Sequence, residues 1–287
     1  MIHKLTMRAY AKLNLALDLL ARRQDGYHQL ETVYTRISLC DYVTIKKISG
    51  SDIIIKSDLS FLPTDSRNIC HKAATAFFDR CSVNDRGVYI RLKKYIPVGA
   101  GLGGGSSDGA ATLLCLNRMY GGPLDKAELT DIAKGLGADP PFFITGGTAF
   151  GAGTGADIQP LGPLMRCYFV LVKPRHSLST AVVFGKTCPQ TDFGTTSARA
   201  VRKAIEAGRL DDMVKNMYNA LERAAFSVCG YLGDIKAELL KAGALTSMMT
   251  GTGSCIFGVF DSFKKASGAY YQLQKKYKSG VFIAKPF

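Results

Sequence analysis

The chain has 287 residues, 47% of them hydrophobic, with 37 Lys+Arg against 23 Asp+Glu for a formal net charge of +14. That length predicts two domains or one large one with ample chain for a core, and the composition excludes a disordered chain. The least charged stretch, 139–166, is rich in Gly, Pro and Thr rather than a membrane-length apolar run, and the N-terminal residues lack the apolar core of a secretory signal, so a cytoplasmic protein is expected.

Residues 8–20 alternate as a strand, with Leu13, Leu15, Leu17 and Leu19 on one face and Lys12, Asn14, Ala16 and Asp18 on the other. Lys12 and Asn14 therefore project together, and the apolar residues flanking Lys12 argue that the strand is central. Further strands are expected at 31–39, 41–48, 52–57 and 87–93. Helices follow at 68–80, with Asn68 as its cap, at 106–120, and at 125–136, capped by Asp125 and ended by Gly137. The second half opens with Gly/Thr-rich 146–155, continues with a strand at 168–173, and predicts a long helix at 211–229 whose buried stripe is Val214, Met217, Tyr218, Leu221, Ala225 and Val228. A helix at 231–242, strands at 246–249 and 255–260, a helix at 262–278 and a strand at 281–285 complete an α+β pattern. The domains are expected at 1–155 and 156–287.

The cysteines are scattered without a C-x-x-C pair, and His3, His28, His71 and His176 stand apart. Zinc, dithiol redox chemistry and a metal-ligand cluster are therefore not expected, and the thiols should be reduced. The positive charge points to an anionic partner. Lys264, Lys265, Lys275, Lys276 and Lys278 accompany Phe263, Tyr270 and Tyr277 at helical spacing, which reads as a solvated helix face over packed aromatics. Neither nucleic acid nor membrane is the expected partner; a phosphorylated small molecule is.

The strongest local signal is GAGLGGGSSDGAA at 99–111, with five glycines ahead of two serines between a strand and an apolar helix. Amides without Cβ can wrap phosphate oxygens, and the helix N-terminus adds unpaired N–H groups and positive potential. Gly99, Gly101 and Gly104 satisfy G-x-G-x-x-G, yet no acid ends a following strand, as a dinucleotide fold requires. Gly185–Lys186–Thr187 lacks the leading glycine of a Walker loop, and Asp192–Phe193–Gly194 stands without the H-R-D loop of a protein kinase, so it reads as chance.

AKLNLALDL at 11–19, DGYHQLETVY at 25–34, LGADPPFF at 136–143 and TGTGSCIFG at 250–258 join this loop. In this order the segments resemble the kinases named for galactose, homoserine, mevalonate and phosphomevalonate, over nearly the whole chain. AKLNL with DGYH is similar to the branch of the non-mevalonate isoprenoid route that acts on a cytidyl-bearing methylerythritol. The resemblance implies a two-domain fold, the first domain like domain 2 of ribosomal protein S5 and the second ferredoxin-like, with the site in the cleft between. It also implies ATP with Mg²⁺, transfer to an erythritol 2-hydroxyl, and a monomer or homodimer.

Residue by residue, Asp139 matches the family's catalytic Asp, and Pro140–Pro141 restricts it to extended backbone, suited to accepting the hydroxyl proton. Lys12 matches the catalytic Lys, which stabilises the charge developing during transfer, with Asn14 beside it toward substrate. Gly99, Gly101, Gly103, Gly104, Gly105, Ser106, Ser107 and Asn68 are assigned to the nucleotide. No metal ligand is assigned beyond Ser106 or Ser107 acting through Mg²⁺. Tyr27, His28 and Phe184 match the residues that hold the cytidine, and Gly251 and Thr252 shape the substrate side. Pro140 replaces the usual Val or Ile, and Gly109 the usual Ala, which puts the aim of Asp139 and the helix start in question. Two alternatives remain at this stage: a mevalonate- or homoserine-type kinase with the same phosphate machinery, and a non-catalytic nucleic-acid-binding protein suggested by charge alone.

Overall fold

The computed structural model describes residues 2–81, 83 and 85–287. They form two compact units, one drawn from residues 2–11, 39–96 and 103–145, the other of Lys12–Ser38, Pro97–Leu102 and Gly146–Phe287. The units interleave in sequence because two long strands, β1 (Lys4–Arg22) and β2 (His28–Lys47), each contribute to both.

In the first unit β3 (Ile53–Ser57), α1 (Ile69–Cys81) and β4 (Val88–Lys93) follow. β4 runs parallel to β3 and antiparallel to the second half of β2, with Thr44 opposite Arg91. Next come α2 (Gly104–Met119), α3 (Lys126–Leu136) and α4 (Pro140–Thr145), with α1 packed on α2, and both α2 and α3 on α4. Ile45 and Ile90 of the strands, Phe77 and Phe78 of α1, Leu113 and Leu116 of α2 and Phe142 of α4 are buried. The expected caps are present. The Cys70 amide donates to Asn68 Oδ1 over 2.9 Å, and Asp125 and Glu128 close a reciprocal box at 2.8 and 3.0 Å.

The second unit contains β5 (Thr148–Ala152), β6 (Asp157–Pro160), β7 (Tyr168–Val172), α5 (Thr180–Gly185), α6 (Pro189–Asp192), α7 (Ser197–Glu206), α8 (Leu210–Asn216) and α9 (Glu222–Val228). Then follow α10 (Tyr231–Lys241), β8 (Thr246–Met249), β9 (Ile256–Phe260), α11 (Phe263–Tyr277) and β10 (Val281–Ala284). β5 pairs with the first half of β2 and β6 with β5, so the Gly/Thr-rich stretch is strand at Thr148–Ala152 and then turns toward β6. The second sheet is antiparallel in the order β10-β7-β9-β8. With α10 ahead of β8 and α11 ahead of β10, this is the ferredoxin-like βαββαβ plan, carrying α5 to α9 as an insertion after β7. Val170, Val172, Leu232, Ile235, Leu239, Phe260 and Leu273 belong to one buried cluster there.

Two expectations need correction. The strands expected at 31–39 and 41–48 are one strand, β2, because Asp41 is fully buried with partners instead of marking a break. The expected helix at 211–229 is two helices, α8 and α9. Between them Leu17 of β1 donates to the Tyr218 carbonyl over 2.8 Å and accepts from the Ala220 amide over 2.9 Å, so pairing with a strand edge replaces the helical hydrogen bonds. All eight thiols are free, and burial pushes those of Cys115, Cys167 and Cys255 up to about 12. Among the described residues no helix is long and apolar enough to cross a membrane.

Candidate active site

Within the second unit three of the sequence motifs meet. Lys12 and Asn14 are buried on one face of β1, and Lys12 Nζ donates to Asn14 Oδ1 over 2.6 Å. Asn14 is held in turn: its Nδ2 donates to Thr32 Oγ1 over 2.8 Å, and that hydroxyl donates to the Ala16 carbonyl over 2.6 Å. The Lys12 ammonium also lies 5.5 Å from the centroid of the Tyr34 ring. The Lys12 amide donates to the Leu102 carbonyl over 3.0 Å, which joins the glycine segment to β1. The third motif closes over both. Thr250 Oγ1 accepts from the Asn14 amide over 3.1 Å and donates to the Gly101 carbonyl over 3.4 Å.

Glycine is required where these backbones approach. A Cβ on Gly101 would run into the Thr250 carbonyl oxygen, and φ of +74° already disfavours a side chain. A Cβ on Gly251 would stand 3.4 Å from both Lys12 Nζ and Asn14 Oδ1, so this turn lies directly against the pair. Asn219 secures it from behind, donating over 2.8 Å to the carbonyls of both Met249 and Gly251 while its Oδ1 accepts from the Leu221 amide at 3.0 Å.

The same unit carries an aromatic cluster at the start of β2. The rings of His28 and Phe184 are 5.0 Å apart between centroids and tilted by 34°, and Phe193 meets His28 edge-on at 5.8 Å. Thr187 Oγ1 lies 3.5 Å from His28 Nε2, and Thr252 of the third motif bonds Thr180, in the helix that bears Phe184, at 3.2 Å. Burial, with Arg22 nearby, pushes the His28 imidazole below its usual value and favours its neutral form. Tyr27 exposes 66% of its surface.

In the first unit Gly103, with φ +69° and ψ +19°, turns the chain into α2. Gly104, Gly105 and Ser106 then form the opening turn, whose amides have no partner within the helix. Gly105 is exposed and a Cβ there would meet nothing within 4 Å, so the space beside this turn is open. Ser106 is half-buried and Ser107 buried. Asn68 uses both ends of its amide, accepting from Cys70 and donating to the Pro63 carbonyl over 2.7 Å, which anchors the start of α1. Asp139 is half-buried immediately ahead of α4, and its carbonyl accepts from the Phe142 amide at 3.1 Å.

Residues 68–147 match the family model described as GHMP kinases N terminal domain, and 201–279 match GHMP kinases C terminal. The chain is 40% identical to the 4-diphosphocytidyl-2-C-methyl-D-erythritol kinase of Clostridium botulinum strain Hall, covering 97% of this chain and 98% of that protein. This chain belongs to the GHMP kinase family. To the kinase of the same name from Lachnoclostridium phytofermentans the identity is 38%, over 99% of this chain and 96% of the relative. A crystal structure of a 4-(cytidine 5'-diphospho)-2C-methyl-D-erythritol kinase matches with TM-score 0.84 and 32% identity, over 98% of both chains. An L. major mevalonate kinase shares the fold at TM-score 0.77 and 20% identity, over 99% of this chain and 97% of that one.

Both departures of this GHMP kinase from the family pattern have a structural place. Pro140 is buried as the first residue of α4, where its missing N–H costs no helical bond. Gly109 faces α1, and a Cβ there would stand 3.0 Å from Ile69 Cγ1, so the glycine admits close packing. Sequence reasoning missed Thr250, Asn219 and Phe193. Asn219 carried no signal, since on the expected helix at 211–229 it falls on the side away from the apolar stripe. Phe193 belongs to the Asp-Phe-Gly triplet, and Asp192 beside it is buried in an ion pair with Arg223. A further surprise is Lys94, whose ammonium is buried between Asp41 and Asp108. Burial alone would lower its pKa, but the two carboxylates hold it above the usual lysine value. The stabiliser of Asp108 is thus Lys94 rather than the helix start, since Asp108 is the fifth residue of α2.

Proposed function

We propose that this ATP-dependent kinase phosphorylates the 2-hydroxyl of 4-diphosphocytidyl-2-C-methyl-D-erythritol, giving the 2-phosphate and ADP, a step of the non-mevalonate isoprenoid route. The observation that carries the acceptor is the end-to-end likeness to kinases of that name. The aromatic cluster supports it, since a mevalonate- or homoserine-type acceptor offers no flat base to lie against His28 and Phe184.

In this reading the amides at 103–106 and the opening turn of α2 bind the triphosphate. Ser106 and Ser107 present hydroxyl oxygens, the donor type that Mg²⁺ accepts, and either can hold it beside the phosphates. When bound, Mg²⁺ neutralises phosphate charge. Asp139, on backbone constrained by Pro140, takes the proton from the acceptor hydroxyl as it attacks. Lys12 is fixed by Asn14 and stabilises the charge that develops during transfer, while Gly251 keeps a side chain away from this pair. The cluster of His28 and Phe184 takes the cytosine, with the neutral imidazole bonding its polar edge. Tyr27 supplies the opposite face.

The test is ADP release with ATP and Mg²⁺ given the cytidyl acceptor, its uridyl analogue, mevalonate or homoserine separately. Turnover with the cytidyl acceptor and poor turnover with the others is expected. Equal use of the uridyl analogue would refute base recognition by this cluster, and turnover with mevalonate alone would refute the acceptor.

A further inference from the structure

Lys94 follows β4 directly, yet its side chain is only 3% exposed, and the carboxylates that hold it, on Asp41 of β2 and Asp108 of α2, are 0% and 4% exposed. Burying one ammonium with two carboxylates costs desolvation that an apolar trio would avoid, so a stabilising role alone is a poor account of it. The connections indicate another. Asp41 Oδ1 accepts from the amides of Tyr95 at 2.5 Å and Ile96 at 2.8 Å, and Asp58 accepts from the amide of Lys94 itself at 3.1 Å. Only Pro97 and Val98 separate these residues from the glycine loop. Asp108, at the other end, belongs to the helix that the loop opens. The two ends also lie close together, since a Cβ on Gly104 would stand 3.0 Å from Ile96 Cγ2.

We propose that Lys94 is a positioning residue for nucleotide binding: through Asp41 and Asp108 it sets the spacing between the end of β4 and the first turns of α2, and so holds the phosphate-binding amides on the opening turn of α2 in convergent directions. The inference rests on the reading of residues 99–107 as the phosphate loop. Loss of one such hydrogen bond to a charged phosphate oxygen weakens binding about 10- to 100-fold. The tie therefore acts on nucleotide affinity, with no direct contact between Lys94 and nucleotide required.

The test measures binding of a non-hydrolysable ATP analogue by calorimetry, without acceptor. Lys94→Met alone leaves two buried carboxyl groups facing each other, so the decisive variant is Lys94→Met with Asp108→Asn, which removes the ammonium together with one of its two carboxyl partners. The double variant should fold, bind the analogue about 10- to 100-fold more weakly, and show an acceptor KM and a kcat at saturating ATP within about threefold of the unmodified enzyme. Unchanged analogue affinity with a lowered Tm would overturn the proposal and leave Lys94 a purely structural ion. Should the double variant not fold, Lys94→Arg keeps the charge and lengthens the tie. Weaker analogue binding at unchanged acceptor KM then supports the proposal, and unchanged binding overturns it. An unmodified enzyme that binds the analogue but phosphorylates none of the acceptors would refute the proposed substrate and leave this inference standing, whereas one that binds no analogue would overturn it.

Discussion

Gly105→Ala separates what the glycine loop does for the fold from what it does for the ligand. Gly105 is the second residue of α2, is exposed, and would place a Cβ with no atom inside 4 Å. Replacing a helical glycine by alanine restricts the unfolded chain and stabilises by ~0.5–1 kcal/mol, which for a chain of this size raises Tm by about 1–3 °C. The open space is also where a phosphate oxygen would approach the amides. A methyl group there denies at least one hydrogen bond to a charged group, worth ~1.5–3 kcal/mol, or about 10- to 150-fold in nucleotide affinity. Scanning calorimetry without ligand and titration with an ATP analogue read the two effects apart. Higher Tm with weaker nucleotide binding is expected; higher Tm with unchanged binding would remove Gly105 from the phosphate site. Gly101→Ala cannot make this distinction, because its Cβ collides with the Thr250 carbonyl and the fold suffers first.

Asp139→Asn should fold normally, by thermal melting, and lower kcat by about 10²–10⁴, the range for losing a general base; unchanged kcat would take Asp139 out of the chemistry. Phe184→Ala should raise the acceptor KM about 5- to 150-fold at constant kcat, as lost base stacking implies, and a fall in kcat alone would point to the helix rather than the ring. The pH dependence follows from His28, whose folded pKa lies below its usual value near 6.5 because of burial. Acceptor KM should stay flat from pH 8 to about 6.5 and rise only as pH falls through the lowered folded value. The contribution of His28 to stability follows the same course, complete above the unfolded pKa and lost below the folded one, because the unfolded chain binds this proton more readily. A KM that already climbs at pH 7.5 would contradict a neutral His28.

Much of this was legible in the residues themselves. The alternation at 8–20 placed Lys12 and Asn14 side by side, Asp125 and Asn68 marked helix starts, and the clustered glycines marked a backbone that something must approach closely. Such features are local: period, caps and missing Cβ atoms act between residues a few positions apart. The sequence could not reveal where charge is buried or where a helix must give way. Lys94 stands in the sequence beside Arg91 and Lys93, with no local acid to mark it as internal, yet its partners come from 53 residues before it and 14 after it, and only their meeting makes a buried ammonium stable. Likewise the stripe at 211–229 carried a helical period, but Leu17, about 200 positions away, takes the backbone bonds of Tyr218 and Ala220, and Asn219 is thereby freed to hold the turn at Gly251. Local periodicity determined which residues face a core. Tertiary structure decided which polar groups the core would accept, because a buried charge or amide is stable only with partners that the fold alone brings to it.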